Sequence, residues 1–183
     1  MAGPNPRAGA RDMFLTVAVL MVPVLLITWF FTRDPEQPPI VDVPWQSTVQ
    51  TAKAEAGFPV QTLVALPAGW RATKATFVKQ GEQLPSGNPA DAPTLELGFL
   101  SDDEMYFAVN QTSSTSSSYR QQVTRDGIKL DPVKVGDVTW DHYQSPNDRT
   151  HSLVRTEGGV TTLLVSDAGV DRLVQLAGML TPA

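Results

Sequence analysis

The feature that most constrains this chain is the run from Met13 to Thr32, MFLTVAVLMVPVLLITWFFT, which contains no formal charge. As a helix rising about 1.5 Å per residue it reaches about 30 Å, the thickness of a bilayer's hydrocarbon core. Lipid offers no partners to free backbone N–H and C=O groups, so a run of this kind is expected to be helical. Pro23 falls near its middle. Trp29, Phe30 and Phe31 lie near one end, where an aromatic ring suits the membrane–water interface.

A cleaved signal peptide competes with this reading, because Arg7 and Arg11 form a basic leader. Its apolar core would exceed the usual length of about 7–15 residues, and the exit TWFFTRDP lacks a small-x-small cleavage pattern. The run therefore reads as an uncleaved signal anchor over residues 13–32, holding the chain in the bilayer. Arg7 and Arg11 precede it, whereas Arg33 follows beside Asp34 and Glu36. The positive-inside rule then leaves residues 1–12 as a short cytoplasmic tail and places the C-terminal part outside a plasma membrane crossed once.

Residues 33–44, RDPEQPPIVDVP, carry four prolines and read as an extended spacer. Residues 45–183 read as one extracytoplasmic domain. Trp45, Val49, Ala52 and Ala56 recur at helical spacing until Gly57 and Pro59 stop them. Strand-like segments follow. In the stretch Thr94 to Leu100, Leu95, Leu97 and Phe99 share a face, and the acidic turn Asp102 to Glu104 leads into MYFAVNQT as a hairpin. Val138, Trp140 and His142 alternate with Asp141 and Tyr143, and a further hairpin turns at Gly158-Gly159. The polar run Ser113 to Ser118 leads into a short helix containing Tyr119 and Val123, capped by one of the serines.

A final helix carries the stripe Val170, Leu173, Val174, Ala177 and Leu180. Ser166 or Asp167 is placed to cap it, and Gly178 would allow close packing on the sheet. Strands closed by helices imply an α+β domain, an antiparallel sheet packed by helices on one face.

The chemistry expected of such a domain is sparse. The chain has no cysteine, which excludes disulfides, thiolate metal sites and a cysteine nucleophile. A net charge of −5 argues against nucleic acid, whose binding needs clustered Lys and Arg. His142 and His151 lie on neighbouring strand segments and could share a metal if register allowed, but no third ligand is evident. His142, Asp141 and the many serines do not by themselves make a triad, and neither a nucleophile elbow nor a phosphate-binding glycine loop appears. The carboxylates of Asp102, Asp103 and Glu104 splay apart on their turn and lack the spacing of a calcium loop. No catalytic residue, metal ligand or cofactor is therefore assigned. Trp70, Trp140, His142 and Tyr143 are the candidates for an aromatic ligand groove, with Trp70 and Trp140 serving otherwise as core anchors.

An ordered set of landmarks adds to this. Trp45, FPV at 58–60, LPAGWRAT at 66–73, LGF at 97–99, Gln111 and VGDVTWDHY at 135–143 follow the apolar run and spacer. Together they resemble an uncharacterised actinobacterial family of N-terminally anchored membrane proteins, defined as a domain of unknown function. The resemblance implies location and fold and carries no mechanism. The expectation is a non-catalytic binding or assembly module of the cell envelope, with an envelope protein, a glycan or a lipid as partner. The alternatives are an envelope hydrolase, or a structural subunit with exposed apolar area on the helix that begins at Trp45.

Overall fold

A computed structural model describes the backbone of residues 8–31 and 43–183, with side chains from 13–29 and 43–183. The expected tail over residues 1–7, the end of the apolar run and the spacer as far as residue 42 lie outside the described residues. The chain divides into two compact units, Met1–Ile40 and Val41–Ala183.

In the first unit, α1 spans Ala8–Phe31 with Pro23 inside it. Its side chains from Met13 to Trp29 are exposed, among them Phe14, Leu20, Leu25 and Leu26. Among the described residues, no helix is long and apolar enough to cross a membrane.

The second unit is α+β. Helix α2 (Trp45–Glu55) precedes β1 (Gln61–Leu63), β2 (Arg71–Val78), β3 (Thr94–Leu100) and β4 (Tyr106–Thr112). Then come α3 (Ser117–Val123), β5 (Ile128–Lys129), β6 (Val133–Val135), β7 (Val138–Gln144), β8 (His151–Glu157) and β9 (Val160–Ser166), and α4 (Val170–Met179) and β10 (Leu180–Pro182) end the chain. The large sheet has the order β2-β3-β4-β9-β8-β7-β5, with β6 on β7, and every pairing is antiparallel. The β8–β9 hairpin turns on Gly158 (φ 57°) and Gly159 (φ 79°), two left-handed positions that glycine takes without strain.

Alternation along the strands sorts residues between two faces. One face carries Leu95, Leu97, Phe99, Phe107, Val109, Leu153 and Leu164, packed under α2 and α4. Trp45 meets Phe99 edge to face at 5.7 Å, so α2 turns its apolar stripe inward. Leu173, Leu176 and Ala177 do the same from α4. The opposite face is covered as well, which corrects the expectation of helices on one face only. Tyr119 of α3, with Leu84 and Ala90 from the long loop between β2 and β3, packs on Val154 and Leu163. Every residue of β3 except Leu100 is consequently buried, including Thr94 and Glu96 on this second face.

Two details of α4 also depart from expectation. Its N-cap is Gly169, with no side-chain cap bond, because Ser166 Oγ accepts from Ala168 N–H and Asp167 is taken up by Thr150 and Arg125. Leu180 has left the helix to pair with Leu63, and exposed Gly178 has only Val135 within 4 Å of where a Cβ would stand.

Candidate functional site

The structure disperses the four aromatic and imidazole candidates. Trp140 is core, 2% exposed, and His142 follows it on the same face. Tyr143 turns to the other face and packs near Tyr119 and Val154. Trp70 lies just before β2 and stacks on Phe107 of β4 with ring centroids 4.6 Å apart. Between β4 and β7 stand β9 and β8, so Trp70 and Trp140 are separated by about 14 Å of sheet. No single groove contains all four.

Register does bring the two histidines together. Gln144 pairs with His151 and His142 with Leu153, which sets both imidazoles on the helix face, His142 Nε2 lying 3.0 Å from His151 Nδ1. Among the described residues, no group of three or more His, Cys, Asp or Glu is arranged to hold a metal. Asp141 is on the other face, paired with Lys129 at 2.9 Å, and is no partner for His142.

The acidic turn is tied down as well. Arg172 of α4 donates to both carboxylate oxygens of Asp103 while Ser101 Oγ donates to Oδ1. These bonds, the guanidinium first and the hydroxyl second, lower the Asp103 pKa to about 2. Arg172 also lies 5.3 Å from the Phe107 ring centroid, which ties the turn to the Trp70 stack.

Three adjoining hollows lie on the second face. Glu96 stands there 8% exposed, accepting from Lys74 Nζ at 2.6 Å and Tyr119 Oη at 3.1 Å. Burial first, and the Glu96 charge second, push the Tyr119 hydroxyl well above the ordinary phenol range, so it stays a donor. A hollow of about 340 Å³ on one side of Tyr119 is lined by Asn88, Thr94, Ser114 and Gln122. A second of about 230 Å³ is lined by Thr112, Ser114, Ser116, Thr156 and Thr161. A more open third, of about 490 Å³, shares Arg120 and Thr156 with the second.

Across the floor of this trough, register aligns Thr94 with Thr112, Thr112 with Thr161 and Thr161 with Thr156. The result is a row of threonines on four adjacent strands. Thr94 donates to Thr112 at 3.0 Å, and the Thr156 and Thr161 hydroxyls lie 3.0 Å apart. Sequence reasoning noted the serine run beside the trough but missed the threonine row, whose members are meaningful only once four strands are in register.

A family described as a protein of unknown function, DUF4245, matches residues 7–180. The chain belongs to the DUF4245 family. The landmarks that carried the resemblance fall mainly in the core of this DUF4245 domain: Trp45, Leu97, Phe99 and Trp140 are buried there, and Trp70 packs against it. No curated protein matches the sequence. Among solved structures, a chain in the complex of Pseudomonas aeruginosa MucA and MucB aligns at 16% identity with a TM-score of 0.37. That alignment covers 68% of this chain and 36% of the other, so the DUF4245 chain spans about a third of that structure. A likeness this low carries no argument about fold, partner or activity.

Proposed function

We propose that this protein is a membrane-tethered, non-catalytic binding module of the cell envelope, anchored through residues 13–32 with its α+β domain outside the cytoplasm. The observation that carries the binding role is the hydroxyl-lined trough around Tyr119. Its first two hollows offer Ser, Thr, Asn and Gln groups beside Leu84, Pro89 and Leu163, with Asp91 and Arg120 as the charged members of their linings. Such a lining suits a neutral ligand rich in hydroxyl and amide groups, and the reading favours a glycan over a lipid. The tether rests on the uncharged run, on the exposed side chains of α1 from residue 13 to 29, and on a family match that starts at residue 7 and so includes this segment.

Two measurements test the reading. The chain lacks cysteine, so Ala2→Cys and Asp131→Cys each give one labelling site. In intact cells a membrane-impermeant maleimide should label Asp131→Cys alone; labelling of Ala2→Cys alone would overturn the orientation. For the ligand, full-length protein in nanodiscs is titrated with soluble glycan strands by calorimetry. Ser114→Trp, which fills both hollows, should abolish a binding signal while leaving the melting temperature near wild type. Absence of glycan binding, with a protein crosslinked to the trough in cells, would replace the glycan by an assembly partner.

A further inference from the structure

We infer that His142 and His151 form a proton-operated latch across the β7–β8 hairpin, closed while one proton lies between the facing nitrogens and opened when both of those nitrogens carry one. The inference does not depend on what the trough binds. Its basis is geometric. The ring nitrogens are 3.0 Å apart, the ring centroids 5.3 Å, and the planes differ by 21°. The excess of the second distance over the first is about two ring radii, so the nitrogens face each other along the line between the rings. That is the arrangement of an N–H···N hydrogen bond. A shared metal would need both lone pairs to converge on one point about 2.0–2.1 Å from each nitrogen, whereas here they oppose.

Proton counting does the rest. A neutral pair has one N–H donor and one acceptor between its rings. With one added proton the bond becomes charge-assisted and stronger. With two, both facing nitrogens are donors, two like charges stand at hydrogen-bond distance, and the contact must open. His142 is 8% exposed and has little access to water for a charge. Burial first, and the charge on His151 second, hold its proton affinity below the ordinary imidazole value.

The neighbouring charges do not relieve the second proton. On β7, Asp141 is paired with Lys129 of β5 on the opposite face, and Asp167 accepts from Thr150 and lies beside Arg125. Arg172 of α4 is held by Asp103. Asp171 of α4, Lys134 of β6, and Asp148 and Arg149 in the intervening turn make no hydrogen bond to either ring. The turn beyond the pair is closed by Ser145 N–H on Thr150 O at 2.9 Å and by Thr150 N–H on Ser145 Oγ at 2.9 Å. Opening the latch therefore loosens the segment from Ser145 to His151.

The sign follows from the depressed affinity of His142. The first added proton tightens the bond, whereas the second is taken up by the unfolded chain at a higher pH than by the folded one, so the contribution is lost as the pH falls below about 6.5. The test uses the full chain in nanodiscs. The chain has 2 histidines, so all imidazole ¹⁵N signals belong to the pair. Between about pH 7.5 and pH 5, the Thr150 amide should exchange several-fold faster after correction for intrinsic rates. The imidazole signals should report one shared proton before the second binds. His151→Gln, which replaces the more exposed member, should reduce the pH dependence of exchange to the part that the burial of His142 alone supplies. Unchanged wild-type exchange across this range, or full pH dependence in His151→Gln, overturns the latch. Should that variant fail to fold, the wild-type imidazole titration decides alone: two independent single-proton titrations would overturn it.

Discussion

At the scale of single residues, polar side chains do structural work that hydrophobic patterning does not announce. Gln111 is fully buried; its Oε1 accepts from Gln61 N–H at 2.9 Å and its Nε2 donates to Gln61 O. The amide thus copies a strand's backbone and docks β1 onto the helix face of β4. Gln111→Leu leaves both Gln61 groups unpaired and should cost about 1–3 kcal/mol, read from denaturant midpoints, with faster exchange at the Gln61 amide. Sequence reading picked out Gln111 as a landmark but could not see its partner, 50 residues away. Asp103 supplies a second test. Its lowered pKa means stability that is present above about pH 3.9 and is lost as the pH falls toward 2. The group is exposed, so solvent screening keeps the effect small. Asp103→Asn should melt slightly below wild type at neutral pH, and the difference should close in acid.

At the scale of elements, hairpins and helices formed where local pattern put them, while caps and contacts followed their neighbours. The strand over Thr94 to Leu100 and the turn at Gly158-Gly159 were legible because alternation and turn chemistry are encoded within a few residues. The short helix after the serine run is capped by Ser116, which accepts from Ser118 N–H. Gly98, in the middle of β3, has a reason that only packing reveals. A Cβ there would collide with Tyr106 Oη and meet Lys74 Cβ at 3.0 Å. Gly98→Ala should therefore cost about 1–3 kcal/mol, and adding Tyr106→Ala should return part of it in a double-mutant cycle. The structural-subunit alternative looked for apolar exposure on α2. Instead Trp45, Val49 and Ala52 are buried.

For the whole molecule, the two units raise separate questions and need separate tests. If α1 is the anchor, Leu20→Arg near its centre should cost about 2.5–3.5 kcal/mol of insertion and shift the chain from the membrane pellet toward the soluble fraction. A fractionation unchanged by Leu20→Arg would remove the tether from the proposal while leaving the trough untouched. The domain's exposed large apolar residues include Val64, Ile128 and Leu130. Its hollows differ: the one around Tyr119 mixes hydroxyl and amide groups with Leu84, Pro89 and Leu163, whereas another beside α2 is lined by Trp45, Val49, Leu63 and Val64.

The sequence by itself determined the apolar run, the α+β class and the course of the longer strands. These follow from periodicity and composition over short windows. Tertiary structure alone decided that β1 pairs with β10, joining Thr62 to Thr181 across 119 residues, and that a helix covers each face of the sheet. It also decided that four threonines form one row and that His142 and His151 oppose their ring nitrogens. The reason is register: shifting a strand by one residue moves every side chain to the other face, and what sets it lies far away in the chain.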